Sequence, residues 1–114
     1  MQTLLRCVGK YGKKQLQFNI PYKLAFAIGS TNLLICDAGN NRIQEITLGG
    51  VFVRAINIVL PWSIAVHGDT IAVGVYRQPG DDVITLLSYA TGAVLRSFGP
   101  CGPGMYCSTR SNRK

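Results

Sequence analysis

The chain has 114 residues, of which 47% are hydrophobic and 15% are charged. This balance predicts one small folded domain and argues against intrinsic disorder, which requires low hydrophobicity and high net charge. Twelve Lys and Arg residues against five Asp and Glu give a formal net charge of +7, which favours acidic partners such as nucleic acid, anionic lipid or an acidic protein surface.

The predicted elements are short strands separated by turn residues. An outer strand is expected near 3–8, at the N-terminus. Four strands then follow near 24–28, 33–36, 42–47 and 51–56, and four more near 63–67, 70–75, 82–88 and 93–98. From Cys107 onward the chain becomes polar and basic, with no strand pattern. Because no window carries apolar residues at helical spacing, almost no helix is expected.

These strands form a repeat of about 40 residues, the length of a β-propeller blade. Pro21 and Pro61 open equivalent segments at an offset of 40, and residues 50–56 match residues 92–98 at an offset of 42. The segments 33–36 and 71–75 are nearly all apolar, which is typical of strands covered on both faces.

A stretch in the first repeat resembles a known family. Residues 35–46 read ICDAGNNRIQEI, which is similar to the NHL-repeat signature D-x-G-N-x-R-I after an apolar strand, and Phe18–Pro21 matches its opening F-x-x-P. The resemblance covers about residues 3–99. It implies a propeller that serves as a protein- or RNA-binding platform; a minority of relatives, such as the amidating lyase, are enzymes.

The fold expected is therefore all-β, a partial β-propeller of two four-stranded antiparallel blades plus a stray outer strand at the N-terminus. Residues 1–12 would hold that strand and a linker, 13–57 an NHL-like first blade and 58–99 a degenerate second blade. Residues 100–114 would start a further repeat and end in a polar basic tail. Because rings close with about 4–8 blades, we expect a fragment of a larger protein, a homo-oligomer or an open two-blade stack.

The first candidate site is a structural turn lock formed by Asp37, Asn41 and Arg42. Asp37 follows a buried strand, where its carboxylate can accept backbone N–H bonds. Gly39 and Asn40 tolerate a positive φ, which a tight turn demands. Arg42 begins the next strand within reach of Asp37, so a charge-assisted pair across the turn is expected. The alternative is that Asp37, Asn41 and Arg42 form a ligand site.

The second candidate site is a loop in the second repeat where the turn lock does not recur. Tyr76, Arg77, Asp81 and Asp82 lie in this loop, and loops on a rigid scaffold often carry binding specificity. The alternative is a drifted turn in a degenerate repeat.

The third candidate is a basic patch with aromatic residues, as single-stranded RNA binding requires. Its residues are Lys10, Tyr11, Lys13, Lys14, Tyr22 and Lys23. The alternative is a basic surface without a nucleic-acid partner.

Catalytic and metal-binding patterns are not found in the sequence. His67 is the one histidine, and the chain has no G-x-S-x-G and no phosphate-binding P-loop. Cys7 and Cys36 are isolated, and Cys101 and Cys107 lack zinc-site spacing; whether the last two form a disulfide stays open. We expect no enzyme activity and no cofactor.

The function expected is a non-catalytic interaction or scaffold module whose partner is a protein. The alternatives are a remnant of a propeller enzyme of the lyase or lactonase type and a basic RNA-binding surface. No apolar stretch approaches the about 18 residues of a membrane helix, and residues 1–6 lack the apolar core of a signal peptide. No membrane span is therefore expected, and the cytoplasm is favoured.

Overall fold

The computed structural model describes residues 7–27, 29–76, 82–102 and 105–109. Within them, a two-residue parallel bridge joins β1 (Lys10–Tyr11) to β2 (Gln17–Phe18). The first sheet contains β3 (Pro21–Phe26), β4 (Leu33–Asp37), β5 (Arg42–Ile46) and β6 (Phe52–Asn57). The second contains β7 (Pro61–His67), β8 (Thr70–Val75), β9 (Val83–Ser88), β10 (Val94–Gly102) and β11 (Met105–Thr109).

The expected all-β class is confirmed. Each sheet contains a four-stranded antiparallel meander whose strands pair in chain order, β3 to β6 and β7 to β10. Neither sheet closes on itself, and the propeller assignment stays a prediction. Among the described residues the helical content is one 3₁₀ turn at Ala38–Asn40, and none of their helices has the length and hydropathy to cross a bilayer.

The two ends of the strand pattern differ from expectation. Of the N-terminal strand expected near 3–8, residues 3–6 lie outside the described residues, and residues 7 and 8 are irregular. The expectation of no strand from Cys107 onward is wrong, because β11 reaches Thr109 and pairs antiparallel with β10, with Cys107 opposite Gly99. Strand pairing is made by main-chain groups, so it does not require alternating apolar side chains.

The hydrophobic core lies between the two sheets. Residues opposite each other in an antiparallel ladder point to the same face, so the register defines one inner face on each sheet. The core contains Leu34, Ile43 and Ile56 from the first sheet, Ala27 directly after β3, and Ile71, Val73, Val75 and Leu87 from the second sheet. The opposite sides of the sheets are called here their outer faces.

The turn between β4 and β5 has its left-handed residue at another position than expected. Asn41 has φ 54°, whereas Gly39 and Asn40 do not have a positive φ. Gly39 is required for close approach instead: a Cβ there would lie 2.5 Å from the Asn19 Cγ and 2.7 Å from the Asn19 backbone oxygen. The chain entering β3 thus packs directly on this turn.

Candidate functional site

Asp37 is fully buried at the end of β4, and both oxygens of its carboxylate are used. Its Oδ1 accepts a bond from the Asn19 backbone N–H (2.7 Å). Its Oδ2 accepts from Arg42 Nε (2.8 Å), Asn40 Nδ2 (3.0 Å) and Gln44 Nε2 (3.2 Å). A buried carboxylate is tolerated only when it is paired and hydrogen-bonded, so this set of donors explains why Asp37 can be buried.

Arg42 does more than pair with Asp37. Its remaining nitrogens donate to three backbone carbonyls of one loop: Nη1 to Lys13 (3.0 Å), and Nη2 to Lys14 (2.9 Å) and Gln17 (2.8 Å). A planar guanidinium can make such divergent bonds at once because its five donors lie in a rigid fork. Arg42 therefore holds the backbone of the segment 13–17, which carries Lys13 and Lys14 of the predicted basic patch.

Asn41 lies beside this cluster but contacts a different element. Its Oδ1 accepts a bond from the Leu60 backbone N–H (2.9 Å), and its carbonyl accepts from Ile58 N–H (3.1 Å). Residues 58–60 connect β6 to β7, so Asn41 anchors the connection between the two sheets. The structure thus separates the three predicted residues: Asp37 and Arg42 form an ion pair, while Asn41 holds the neighbouring connection.

The predicted basic patch is distributed over two elements. Lys10, Tyr11, Lys13 and Lys14 are exposed on the N-terminal segment, and Tyr11 retains 80% of its accessible surface. Below them is a cleft of about 290 Å³, lined by Tyr11, Gly12, Lys13, Asn19, Gly39 and Asn40. Lys23 lies on β3, with its Nζ 5.6 Å from the centroid of the Tyr22 ring.

Of the predicted partner-binding loop, Tyr76 and Asp82 are described and both are exposed. Arg77 and Asp81 lie outside the described residues. Tyr76 is held at the end of β8 by a bond from its N–H to the Leu60 carbonyl (3.2 Å).

Tyr76 belongs to a row of exposed aromatic rings that was not predicted as a site. Tyr22 and Trp62 stack with centroids 4.4 Å apart and an interplanar angle of 26°, and Tyr76 lies 6.1 Å from Trp62 at 41°. The three side chains, called here the aromatic row, are exposed by 49%, 43% and 40% respectively. The sequence signal was available, because Tyr22 and Trp62 follow the two repeated prolines.

Beside the aromatic row opens a cleft of about 360 Å³. Its lining consists of Trp62, Ser63, Gly74, Val75, Tyr76, Asp82, Val83 and Ile84. A Cβ at Gly74 would lie 2.5 Å from the Ser63 Oγ, so glycine at this position allows Ser63 to approach the neighbouring strand. The lining side chains give the cleft a largely apolar wall and one carboxylate, that of Asp82.

A part-buried polar cluster around the buried Glu45 joins the two sheets. Glu45 on β5 pairs with Arg54 on β6 (Oε1 to Nε, 2.8 Å) and accepts a bond from Asn32 Nδ2 (3.0 Å). Tyr89 of the second sheet donates its hydroxyl to Glu45, and its carbonyl accepts from the Arg54 guanidinium, which also lies 4.7 Å from the ring centroid. Sequence reasoning did not find this cluster.

The cluster perturbs the titration of both of its acidic groups. Burial raises the pKa of Glu45, but the bonds from Tyr89, Asn32 and Arg54, together with the Arg54 charge, outweigh burial and lower the pKa below its ordinary value of 4.5. The bond to Glu45, with burial, raises the pKa of the Tyr89 hydroxyl above 10.0. Both shifts favour the ionised carboxylate beside a neutral phenol, which is a strong hydrogen-bonding arrangement.

Among the described residues, no group of three or more His, Cys, Asp and Glu side chains is placed to hold a metal ion. His67 is exposed at the end of β7. Burial raises the pKa of the Cys36 thiol from 9.0 to about 11, so this thiol is a poor nucleophile.

No protein-family model and no curated protein sequence matches this chain.

Proposed function

We propose that this chain is a non-catalytic interaction module, built from two NHL-type β-propeller blades, that binds a protein partner through the aromatic row. Two successive four-stranded meanders with the same pairing order support the blade assignment. The NHL-like stretch supports it too, because its Asp37 and Arg42 form the ion pair that joins β4 to β5.

The observation that carries the binding proposal is the exposure of the aromatic row beside the cleft. Aromatic side chains are enriched among the residues that dominate binding energy, because they bury a large area with few rotatable bonds. Trp62 lies at the centre of the row and also lines the cleft. The partner is then a protein segment that inserts an apolar side chain into the cleft and covers the rings.

Charged groups at the ends of this surface supply orientation. Lys23 lies over Tyr22 at one end, and Asp82 lines the cleft at the other. Rim charges of opposite sign affect association rate and register more than affinity. A segment with an acidic residue on the Lys23 side and a basic residue on the Asp82 side fits this surface best.

Selection from a displayed peptide library on the purified chain tests the proposal. Trp62 is the single tryptophan, so its fluorescence reports binding of each selected peptide directly. We expect Tyr22→Ala and Tyr76→Ala to weaken binding by about tenfold or more, equivalent to about 1.4 kcal/mol. Tyr11→Ala is the matched control, because Tyr11 is exposed but lies outside the row. Peptides that bind all three variants equally would contradict the proposal.

A second candidate function, RNA binding, has one specific observation in its favour. Arg42 holds the backbone carbonyls of Lys13 and Lys14, and both lysines remain exposed next to Tyr11. A gel shift with mixed-sequence single-stranded RNA tests it at low and at moderate salt, since phosphate contacts weaken as salt rises. We expect a shift at low salt that disappears in the double variant Lys13→Glu/Lys14→Glu; a shift unaffected by this change, or no shift at low salt, would exclude the patch.

A further inference from the structure

The two sheets contain equivalent positions, which the pairing register identifies. Leu24 is paired with Ile35, as Ile64 is paired with Val73. The same comparison equates Phe26 with Val66, Ile43 with Ile84, Glu45 with Leu86, Leu48 with Tyr89 and Arg54 with Arg96. Under this correspondence the outer face of the first sheet is equivalent to the inner face of the second, and the reverse also holds.

One end of the outer face of the first sheet is apolar and partly uncovered, whereas the other end carries Asp37, Arg42 and Gln44 and is bonded to residues 13–17 of the N-terminal segment. Ile64 and Val66 of the second sheet pack against the core, whereas their equivalents Leu24 and Phe26 are exposed by 61% and 58%. A hollow of about 650 Å³ lies on this outer face. Its walls include Leu33, Ile46 and Leu48 of the sheet, and Val8 and Phe18 of the N-terminal segment.

The outer face of the second sheet is apolar too, but shallower. Ile84 is exposed by 53%, whereas its equivalent Ile43 is fully buried at the inner face of the first sheet. Beside Ile84 lies a groove of about 350 Å³ whose floor includes Ser63, Ala65, Ala72 and Gly74. Small side chains on this face can receive large ones such as Leu24 and Phe26, and such interdigitation is how packed sheets fill the space between them.

The side chains equivalent to the Glu45–Tyr89 pair indicate that the two outer faces fit each other. Between the two sheets, Glu45 meets Tyr89. At the outer faces both of these positions are aliphatic, since Leu86 replaces the acid and Leu48, exposed by 49%, replaces the phenol. Bringing the two outer faces together in the same geometry would therefore pair leucine with leucine at these two positions, where neither side chain needs a hydrogen-bond partner.

Arg54 of the polar cluster also has an equivalent in the second sheet. Arg54 donates to the main-chain carbonyl of Tyr89. Arg96 is its equivalent, and a main-chain carbonyl is present at Leu48 whatever the side chain there. The described contact of the Arg96 guanidinium is with the Phe98 ring, 5.9 Å from its centroid.

We propose that a second copy of this chain seats the outer face of its second sheet on the outer face of the first sheet, repeating between copies the packing that joins the two sheets within one copy. The contact is heterologous, so it continues into a closed ring or an open stack. The proposed contact involves the sheet faces and not the aromatic row, so self-association can be lost while peptide binding at the row persists, and peptide binding can be lost while self-association persists.

Sedimentation velocity of the full chain, over a wide concentration range, tests the inference. We expect species at multiples of 12.4 kDa that grow with concentration. Phe26→Lys removes one face and Ile84→Lys removes the other, so each variant alone should be monomeric. Val59→Lys is the matched control, because Val59 is an exposed apolar residue of the connection between the sheets, and it should assemble like the unmodified chain.

Mixing the two lysine variants distinguishes a head-to-tail contact from a symmetric one. Each variant retains the face that the other has lost, so the mixture should form a dimer and nothing larger. Unmodified chain that is monomeric at every concentration would overturn the inference, as would a single variant that still dimerises or a mixture that stays monomeric. Circular dichroism checks that each variant is folded; where one is not, Leu24→Ser or Ile84→Ser takes its place.

Discussion

The substitution Arg42→Lys tests whether the Arg42 guanidinium holds the backbone of the segment 13–17. Lysine keeps a positive charge near Asp37, but one ammonium group cannot reach the carbonyls of Lys13, Lys14 and Gln17 together. Bonds from a charged donor contribute about 1.5–3 kcal/mol each when buried and less when exposed. Since the bonds to Lys13 and Lys14 are exposed and the bond to Gln17 is part-buried, we expect unfolding to become easier by about 2–3 kcal/mol.

Urea unfolding followed by Trp62 fluorescence measures this loss. Arg96→Lys, measured at a concentration where the chain is monomeric, is the matched control, because within one copy the described contact of Arg96 is a distant one with Phe98, and a change within about 0.5 kcal/mol is expected there. Trypsin supplies a local readout: cleavage after Lys13 and Lys14 should accelerate in Arg42→Lys, because the loop backbone loses its anchors. Equal stability of the two variants, with unchanged cleavage, would refute the reasoning.

Three further results are expected. The stabilisation from Glu45 should be complete above its unfolded pKa of 4.5 and lost as pH falls through the lower folded pKa. The stability of Glu45→Gln should therefore depend less on pH in the acid range than that of the unmodified chain, and identical acid-unfolding profiles of the two proteins would contradict this. Cys36 should resist alkylation at neutral pH until the chain unfolds, because burial raises its pKa to about 11, as peptide mapping by mass spectrometry can check. Gly39→Ala should destabilise the fold by about 1 kcal/mol or more, since its Cβ would lie 2.5 Å from the Asn19 Cγ; Gly49→Ala, with its nearest contact at 3.5 Å, is the control and should be nearly neutral.

Much of the local structure could be predicted from the sequence because it depends on residues close together in the chain. The strands around residues 33–36 and 70–75 were expected from short apolar runs between turn residues, and both are present. The Asp37–Arg42 pair was expected for the same reason: the two residues face each other across one tight turn.

The expectation for the turn between β4 and β5 was wrong in which residue has a positive φ. A positive φ was assigned to Gly39 and Asn40, whereas a short 3₁₀ turn moves it to Asn41. Glycine at 39 is required by the approach of Asn19, which is 20 residues away in the chain. Local turn chemistry alone does not reveal a distant contact of this kind.

The candidate sites divide in the same way. The basic patch and the loop that carries Tyr76 and Asp82 could be recognised from residue types that lie close together in the sequence. The aromatic row could not, because its rings come from three strand ends in two sheets. The Glu45–Arg54–Tyr89 cluster was also missed, since Tyr89 reaches Glu45 only when the sheets are packed.

The sequence by itself determined two antiparallel four-stranded units, because strand period, turn residues and the internal repeat are all encoded over short distances. It also determined that Asp37 and Arg42 would meet. Only the tertiary structure decided which face of each sheet is buried. It also decided that Arg42 anchors the backbone of the segment 13–17 and that Tyr22, Trp62 and Tyr76 form one surface. The physical reason is that a sheet presents two faces from one alternating pattern, and packing between sheets selects the one that is covered.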